Sequence, residues 1–418
     1  MTDWPVVPLR ELAIEMQPGF ACQPTGRDHG YPQLRTNNVS SQGKIDLDLV
    51  KFVPAKKSQI SKYSLLAGDV LFNNTNSPAL VGKTALFDGE HPYLFSNHMT
   101  RVRVKRGLIE PGYLARFLHR EWKVGAFRSL VTQWVSQAAI NRDQLGSVLV
   151  PLPALSEQRR IVEIFDQADH LCRLRAAAST MADRILPALF LKMFGDPATN
   201  AMGWPIRPLG ELGELDRGRS RHRPRNDPAL LGGDHPLIQT GDVANSNGRI
   251  REYTQTYSDV GLSQSKMWKA GTLCITIAAN IANTAVLEFD ACFPDSVVGF
   301  TPGPCVTTEY VQFLLGHLKP VLERNAPMVA QKNINLGVLR ELPVPNPPMD
   351  LQSHFSEAVE CYWTGRSNQW RSQAHLERLS RSLNTQAFAG VLTRRWRRAH
   401  SEQLIRECDA RDAVLRKA

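Results

Sequence analysis

The sequence has few of the patterns that mark secreted, zinc-binding or membrane-spanning proteins. Its seven cysteines are an odd number and include no Cys-x-x-Cys pair, which argues against a disulfide framework or a structural zinc site. No apolar run approaches the roughly 18 residues that a membrane-spanning helix needs. The first residues, MTDWPVVPLRELA, lack the basic and apolar regions of a signal peptide, so we expect a cytoplasmic location.

Patterns that would supply catalysis are also incomplete. Residues 346–349 read Asn-Pro-Pro-Met, whereas amino-methyltransferases place an aromatic residue fourth, to stack on an extruded base. The stretch VGKT at residues 81–84 ends like a phosphate-binding loop, but Ser77 stands where that loop needs its first glycine. FPDSVV, from Phe293, has no nearby Glu-x-Lys to complete a metal-dependent nuclease centre. We therefore expect a non-catalytic chain without metal or cofactor.

Positive charge is in excess. Lysine and arginine number 50 against 40 aspartates and glutamates, which gives a formal net charge of +10 and an isoelectric point near 9.4. The mean hydropathy of −0.28 is ordinary for a globular protein. A length of 418 residues suffices for roughly two to four domains. The charge favours a polyanionic partner such as nucleic acid, without establishing one.

The sequence repeats itself over most of its length. Residues 137–158 and 331–352 share eight residue types at a constant offset of 194. WPVVPLREL, from Trp4, returns as WPIRPLGEL, from Trp204. Three further stretches recur in the same order: YPQLRTNNVSSQGKI with HPLIQTGDVANSNGRI, LLAGDVLF with MWKAGTLCI, and VGKTALF with IANTAVLEF. The chain therefore consists of two homologous halves.

Each half begins with short β-branched segments broken by Gly, Pro and Asn, and closes with a long amphipathic helix. We expect the first helix to be capped by Ser156, kinked at Pro187 and ended at Gly195, with Asp350 capping its counterpart. Its length of about 38 residues would reach about 60 Å. The apolar stripes favour an antiparallel coiled coil between the two helices, the alternative being that each helix covers its own domain.

These patterns predict an α+β fold, with two repeated mixed α/β domains separated by two long helices that form an antiparallel coiled coil. We place the first domain at residues 1–150, the first helix and its junction at 151–200, the second domain at 201–345, and the second helix with a basic tail at 346–418. Two similar domains on a rigid spacer suit a target with two half-sites.

The densest positive charge lies in DRGRSRHRPRND, where five arginines alternate with other residues. They are Arg217, Arg219, Arg221, Arg223 and Arg225. In an extended segment this alternation places all five on one side, as a cationic ribbon that follows phosphates or enters a groove. A solvated loop is the plainer interpretation, and the proline within the run argues against a core strand.

A second group of candidate DNA contacts is rich in amides. Asn and Gln form paired hydrogen bonds with adenine and Arg with guanine, although most such residues serve turns by bonding their own backbone. The candidates are Arg35, Asn37, Asn38, Asn73, Asn74, Lys83, Arg142, Gln239, Asn280, Asn283, Gln331, Lys332 and Asn333. Residues that recur in both halves, Thr36 with Thr240 and Asn141 with Asn335, are expected to be common scaffold, and the positions that differ are the better candidates for specificity.

The tail TRRWRRAH, continued by RECDARDAVLRKA, is basic and mixed in character. It either adds a phosphate contact or forms a solvated helix that meets a partner subunit. An exposed Trp396 would favour the partner.

Four stretches carry a resemblance to a known family. PLPALSEQRRIVEIFDQAD, ILPALFLKMFGDPATNAMGWPIRPLGEL, GRSRHRPRNDPALLGGDHPLIQTGDV and LNTQAFAGVLTRRWR resemble the DNA-specificity subunits of type I restriction-modification systems, and the likeness extends over nearly the whole chain. The resemblance implies two target-recognition domains, each reading one half of a split, asymmetric double-stranded DNA sequence, with the helices as a ruler between them. It also implies two adenine methyltransferase subunits docked on the helices, and restriction subunits that translocate and cleave DNA using ATP.

Two other interpretations stay open at this point. A single-chain restriction or modification enzyme would need a catalytic domain, for which the duplicated plan leaves no room. A scaffold whose paired domains bind proteins would be recognised by the absence of DNA binding in the assembled complex.

Overall fold

The computed structural model describes residues 4–90, 92–133, 137–222, 224–278, 281–325 and 334–416. Five candidate contacts lie outside the described residues: Arg223, Asn280, Gln331, Lys332 and Asn333. The chain divides into two compact units, here called unit 1 (Met1–Arg175 with Gln373–Ala418) and unit 2 (Ala176–Ser372). The division into four segments that we drew from the sequence stays a prediction, since the unit boundaries fall inside the long helices.

In the first half of the sequence the strands are β1 (Val6–Pro8), β2 (Ala13–Pro18), β3 (Tyr31–Leu34), β4 (Lys51–Val53), β5 (Val70–Asn73), β6 (Thr75–Asn76), β7 (Thr84–Leu86), β8 (Leu94–Phe95), β9 (Met99–Val104), β10 (Thr132–Gln133), β11 (Ala138–Ala139) and β12 (Leu149–Pro151). The helices are α1 (Leu9–Leu12), α2 (Lys57–Tyr63), α3 (Pro111–Lys123), α4 (Arg142–Gly146), α5 (Leu155–Ala182) and α6 (Ile185–Phe194). The main sheet has the order β2-β9-β5-β7 and is antiparallel, and α3 packs on β5 and β7. A smaller sheet, β4-β3-β8, includes a parallel pair.

In the second half the strands are β13 (Ile206–Pro208), β14 (Gly213–Arg217), β15 (Leu231–Leu237), β16 (Arg249–Ile250), β17 (Gln255–Tyr257), β18 (Met267–Trp268), β19 (Leu273–Thr276), β20 (Thr284–Leu287), β21 (Ala291–Cys292), β22 (Val297–Pro302) and β23 (Pro343–Pro345). The helices are α7 (Leu209–Leu212), α8 (Thr240–Asn245), α9 (Asp259–Ser263), α10 (Thr308–Asn325), α11 (Leu336–Arg340), α12 (Met349–Phe388), α13 (Arg394–Ala399) and α14 (Ser401–Leu415). The main sheet, β14-β22-β19-β20-β16, stands beside a smaller one, β17-β15-β21-β18, and α10 packs on β20.

The repeat in the sequence is also a repeat of contacts. β1 pairs with β12 in one half, and β13 pairs with β23 in the other, both antiparallel over three residues. Gln158 and Gln352, which are fully buried, each bond three backbone groups of their own unit. Tyr113 and Tyr310 donate their hydroxyls to a proline carbonyl at the end of a strand, at 2.9 and 2.7 Å. The prediction of two mixed helix-and-strand units built on one pattern is therefore confirmed.

The first long helix breaks where the sequence predicts only a kink. α5 has 28 residues and α6 has 10, and the chain turns between them at residues 183–184. Pro187 explains the break, because it has no N–H to donate to the carbonyl of Asp183 and its ring crowds that carbonyl. The expectation of one rod of about 60 Å is therefore wrong, since α5 alone spans about 42 Å. The end of α6 at Gly195, whose φ is 78°, is as predicted.

Neither expected helix cap lies at a cap position. α5 begins at Leu155, so Ser156 stands in the first turn, where its N–H donates to the carboxylate of Glu407 at 2.9 Å. α12 begins at Met349, so Asp350 also stands in the first turn. An acidic group at that place favours the helix through its dipole and not through a capping bond.

Aromatic rings from the ends of the long helices complete each core. In unit 1 the ring of Phe388, the last residue of α12, lies 5.4 Å from that of Tyr113 in α3. In unit 2 the rings of Phe190 and Phe194, in α6, lie 5.6 and 4.9 Å from that of Tyr310 in α10. All five side chains are at least nine-tenths buried. Each unit is thus completed by a helix end that comes from the other half of the sequence.

The C-terminal tail folds against unit 1 as α13 and α14. The Thr393 hydroxyl and the Arg397 guanidinium both bond the buried carboxylate of Glu157, the guanidinium at 3.1 Å. Burial raises the pKa of Glu157, and these two partners oppose the rise. Trp396 is half-buried and stacks on His400 with 4.3 Å between ring centroids. The indole is therefore only partly exposed, because the ring packs on its own helix turn.

The middle and the end of α5 carry exposed apolar side chains. Ile161 and Phe165, near its start, are buried, whereas Leu171, Leu174 and Met181 are 56, 55 and 71% exposed. The apolar stripe read from the sequence is therefore covered only in part. Within the described residues, no helix combines the length and the apolar character that crossing a membrane requires.

Candidate nucleic-acid interface

In both units a partly exposed segment leaves the main sheet through a glycine. Gly19 follows β2 and Gly218 follows β14, and their N–H groups donate to the carbonyls of Met99 (3.1 Å) and Val297 (2.9 Å) on the neighbouring strand. A Cβ at these glycines would lie 2.1 and 2.2 Å from a phenylalanine carbonyl oxygen, so only glycine fits there. The next four residues are FACQ in unit 1 and RSRH in unit 2. The two units therefore share a frame here and differ in the side chains it presents.

The segment in unit 2 presents arginines on one side, as the alternation predicts, but only over its first part. Arg217, Arg219 and Arg221 are exposed, whereas Gly218 and Ser220 between them are buried. The alternation ends there, because residues 224–226 are all exposed. We call Arg217, Arg219 and Arg221 the ribbon.

Side chains from a neighbouring turn hold the backbone of the ribbon in place. The Gln264 side-chain oxygen accepts hydrogen bonds from the N–H groups of Arg221 (2.6 Å) and His222 (3.1 Å). The Ser265 hydroxyl donates to the carbonyl of Arg219 at 2.9 Å. A segment held at three backbone atoms is ordered before it meets a ligand, which lowers the entropy cost of binding.

The charges of the ribbon have no ion-pair partner among the described residues. No described carboxylate lies within ion-pair distance of the guanidiniums of Arg217, Arg219 or Arg221. Arg225, in contrast, lies 2.5 Å from the carboxylate of Asp295. The ribbon is therefore an exposed line of positive charge, while Arg225 is compensated within the fold.

Unit 1 has a concave polar surface at the corresponding place. A cavity of about 730 Å³, here called the groove, is lined by residues 20–23, Gln33, residues 35–37 and residues 96–98. Arg35 donates one bond to the carbonyl of Cys22 at 3.3 Å, but its Nε, like the hydroxyl of Ser96, is buried without a hydrogen-bond partner among the described residues. Asn37 is exposed at the edge of the groove. Buried groups with unused bonding capacity favour a polar ligand there.

Arg35 of the groove and Gln239 of unit 2 occupy equivalent positions. The N–H of Arg35 donates to the Asn38 side chain, and the N–H of Gln239 donates to the Asp242 side chain, both at 2.8 Å. The side-chain amide of Gln239 is exposed and donates to the neighbouring Gln255 at 3.3 Å. The backbone turn is thus common to both units, and the side chain that it presents is not.

Three of the candidate asparagines are buried and bonded within unit 1. Asn38 is fully buried and also donates to the carbonyl of Asp46 at 2.7 Å. Asn73 donates to the carbonyl of Thr36 at 3.0 Å, and Asn74 donates to the Thr100 hydroxyl at the same distance. The amides of Asn73 and Asn74 join loops to the main sheet and that of Asn38 joins two loops, so in this structure they serve the fold.

Lys83 and Asn283 occupy equivalent positions and are also used internally. Each lies one residue before a strand, and its carbonyl accepts the N–H of the last residue of the neighbouring strand. The donor is Asn73 of β5 in unit 1 and Thr276 of β19 in unit 2. The ammonium of Lys83 is buried and donates to the carbonyl of Val39, and burial lowers its pKa. The side chain of Asn283 accepts a bond from Lys319 at 2.6 Å. Lys83 therefore points into unit 1 and not towards a phosphate.

Arg142 is exposed at the start of α4, apart from the groove. It lines a separate cavity of about 320 Å³ together with Arg10, Ile14 and other residues of unit 1. The residue before it, Asn141, caps α4 by accepting the N–H of Gln144 at 2.8 Å, and Asn335 caps α11 by the same bond. These two recurring asparagines are common scaffold, as predicted.

Sequence reasoning missed several residues of these surfaces. Gln23, Asn97 and His98 line the groove because β3 pairs in parallel with β8, which places residues 96–98 beside Arg35. Gln264 anchors the ribbon from 43 positions away. No local pattern marks these residues, because each becomes relevant only through a contact distant in sequence.

The comparisons with known proteins agree on one family. The sequence profile of the type I restriction modification DNA specificity domain matches residues 1–178 and 202–361. A specificity subunit of the type I restriction enzyme MjaX from Methanocaldococcus jannaschii is 23% identical to this chain over 377 residues, 86% of either chain. The specificity subunit of the type I restriction enzyme EcoKI from Escherichia coli K12 is 25% identical over 190 residues, 44% of this chain and 40% of that one.

Solved structures share the fold. A chain from a type I restriction-modification system, studied for complex assembly and conformational transition, aligns with 93% of this chain and 98% of its own length at 19% identity and a TM-score of 0.60. The specificity subunit of such a system from M. genitalium aligns with 92% of this chain and 96% of its own length at 14% identity and a TM-score of 0.55. The likeness therefore extends over both units.

Proposed function

Since the chain belongs to the type I restriction-modification DNA specificity family, we propose that unit 1 and unit 2 each read one half of a divided, asymmetric DNA sequence. The chain is a DNA-recognition subunit of a type I restriction-modification system. The observation that carries the proposal of two independent readers is the shared frame after Gly19 and Gly218, from which the two units present different side chains.

Unit 2 would approach DNA with the ribbon. Alternate residues of an extended segment are about 6.6 Å apart, which is close to two base-pair steps of about 3.4 Å each. The spacing of successive arginines therefore matches the spacing of every second base pair. Their guanidiniums form no ion pair with a described carboxylate and would contact phosphates or the guanine edge in the major groove. Gln239, exposed on an equivalent turn to Arg35, is a second candidate contact in this unit.

Unit 1 would read its half-site with the groove. Arg35 has a buried Nε in need of an acceptor, and Asn37 stands exposed beside it. Arginine suits a guanine edge and asparagine an adenine edge, so this pair would accept a different sequence from that of the ribbon. Difference between the two readers makes the whole target asymmetric.

The long helices would set the spacing between the half-sites as an antiparallel coiled coil. In unit 1 Phe165 of α5 packs on Phe388 of α12, and in unit 2 Asp183, just after α5, accepts a bond from Tyr362 of α12 at 3.3 Å. A later residue of the first helix thus meets an earlier residue of the second, which supports an antiparallel course.

The chain would recognise the DNA sequence, and its partner subunits would carry out the reactions on it. Leu171 and Leu174 leave the middle of α5 apolar and exposed, as expected of a surface that another subunit covers. We assign this surface to methyltransferase subunits, two copies in the full assembly, to which restriction subunits then bind. In this proposal the chain itself has no catalytic residue.

The test is a long-read methylation map of cells that express the chain with its cognate methyltransferase subunit, compared with cells that lack the chain. A split motif with methyladenine on opposite strands of its two halves is expected only when the chain is present. Exchanging residues 201–345 for those of another family member should change one half of the motif, and Arg35→Gln with Asn37→Ala should relax the other. A change in both halves after the exchange would contradict independent readers. No dependent motif, with the methyltransferase shown to be bound and active, would favour a protein-binding scaffold.

A further inference from the structure

Unit 2 has an open cavity beside the helix position at which unit 1 has a histidine. Because Tyr113 and Tyr310 make the same bond, α3 and α10 align, and His119 of α3 corresponds to Gly316 of α10. The turns that face these helices, SSQGKI and NSNGRI, align as well and place Gly43 opposite Gly248. Both glycines have a positive φ, 73° and 96°.

In unit 1 the histidine ring fills this space. His119 is 8% exposed, and a Cβ placed on Gly43 would lie 2.9 Å from its ring. The ring also lies 5.2 Å from that of Trp122. The site in unit 1 is thus built around an imidazole that the chain supplies itself.

In unit 2 the side chains of Gln312 and Trp363 approach the glycine instead: a Cβ placed on Gly248 would lie 2.9 Å from the Gln312 amide nitrogen and 3.7 Å from the Trp363 ring. A cavity of about 360 Å³ is lined by Gly248, Thr284, Gln312, Gly316, His317 and Trp363, among others. Its volume lies at the lower end of the range of about 300 to 1,000 Å³ typical of small-ligand sites. The loss of the histidine side chain is therefore only partly offset by neighbouring groups.

The cavity wall holds a buried acceptor with unused capacity. Gln312 is 6% exposed, and its amide nitrogen donates to the carbonyl of Gly248 at 2.6 Å. Its side-chain oxygen receives no hydrogen bond from any described residue. A ligand that donates an N–H to this oxygen would relieve the cost of leaving it unpaired.

The cavity also has a flat, fixed aromatic wall. His317 bonds the carbonyl of Phe313 through Nδ1 at 2.8 Å, and its ring stacks on Phe190 with 4.8 Å between centroids. Both contacts fix the plane of the ring. A flat wall beside one acceptor suits a flat ligand with one donor.

We propose that this cavity of unit 2 binds a small planar nitrogen heterocycle with a ring N–H, between imidazole and purine in size. The ring lies beside Gly316, the helix position that corresponds to His119, and donates its N–H to Gln312. The site is independent of the DNA-reading surfaces, so it stands or falls separately from the proposed function.

The first arm of the test restores the missing side chain. Gly316→His has room for its Cβ, since nothing lies within 4 Å of that position. Gly365→His is the matched control, because Gly365 is also helical and also has nothing within 4 Å. Benzimidazole is titrated into the full-length chain by saturation-transfer NMR. We expect a Kd of about 0.1 to 1 mM for the wild type and for Gly365→His, and binding at least about tenfold weaker for Gly316→His.

The second arm tests the acceptor. Wild-type protein should prefer benzimidazole over 1-methylbenzimidazole, which has no N–H, by about five- to tenfold. In Gln312→Leu the preference should fall to about one, while the methylated compound still binds. No binding of benzimidazole to the wild type, equal binding to Gly316→His, or a preference that survives Gln312→Leu would each overturn the proposal.

Discussion

Neutralising two arginines of the ribbon should reduce the salt dependence of DNA binding by a calculable amount. The double variant Arg219→Gln with Arg221→Gln removes two exposed guanidiniums that have no carboxylate partner among the described residues. If each neutralises one phosphate, the slope of log Kobs against log salt concentration becomes less steep by about 1.8, since each contact contributes about 0.9. Between about 50 and 200 mM salt, the affinity advantage of the wild type over the variant would then shrink about twelvefold.

Fluorescence anisotropy on the complex with its methyltransferase subunit, with DNA carrying the mapped motif, measures this slope. Arg225→Gln is the matched control, because its guanidinium lies 2.5 Å from Asp295 and is already compensated. Its loss should change the slope far less than one ribbon arginine does. An unchanged slope in the double variant would mean that the ribbon is a solvated loop that does not contact phosphates. An equal change in Arg225→Gln would mean that only the net charge of the unit matters.

Three further predictions concern the frame. Phe388→Ala should destabilise unit 1 by about 3 to 5 kcal/mol and leave the amides of unit 2 protected in hydrogen exchange. Phe194→Ala should destabilise unit 2 and leave unit 1 protected. An equal loss of protection in both units would contradict separate cores. Asn141→Ala or Asn335→Ala should cost about 1 kcal/mol in urea unfolding without altering the methylated motif, and an altered motif would give these caps a role in reading DNA. Burial, with a smaller effect of nearby lysine and arginine, lowers the pKa of His119 to about 4, below its ordinary 6.5. Because the folded state disfavours protonation of this histidine, its contribution to the free energy of unfolding is complete above about pH 6.5. The free energy of unfolding then falls by up to about 3 kcal/mol as the pH drops to about 4. In urea titrations at each pH, His119→Gln should make this decline less steep.

Much of the frame follows from the sequence because its signals are local or repeated. The caps at Asn141 and Asn335 depend on a side chain and an N–H three residues away, so a short pattern reveals them. The break at Pro187 was foreseen only as a kink. A proline in the sequence shows that one backbone N–H of the helix is missing. Whether the helix then bends or ends depends on the packing around the turn, which the local sequence does not show.

The candidate DNA contacts also divide into those that a local pattern reveals and those that depend on contacts distant in sequence. Alternation in the ribbon is a local property, and exposure of Arg217, Arg219 and Arg221 agrees with it. The amides of Asn73 and Asn74 bond groups that lie 37 and 26 positions away in sequence, so residue type alone did not separate them from an exposed reader such as Asn37. Long-range pairing decides which amides remain free.

The completion of unit 1 by Phe388 affects how the protein is made. Phe165 and Tyr113 leave the ribosome more than 200 residues before Phe388, which is about 10 to 55 s at about 5 to 20 residues per second. During this time those rings lack the aromatic partner that covers them. Unit 2 is one continuous stretch, Ala176–Ser372, and is ready to close before the last turns of α12 have been synthesised. The half that is made first is therefore the half that finishes last, and we expect newborn chains to depend on chaperones at unit 1.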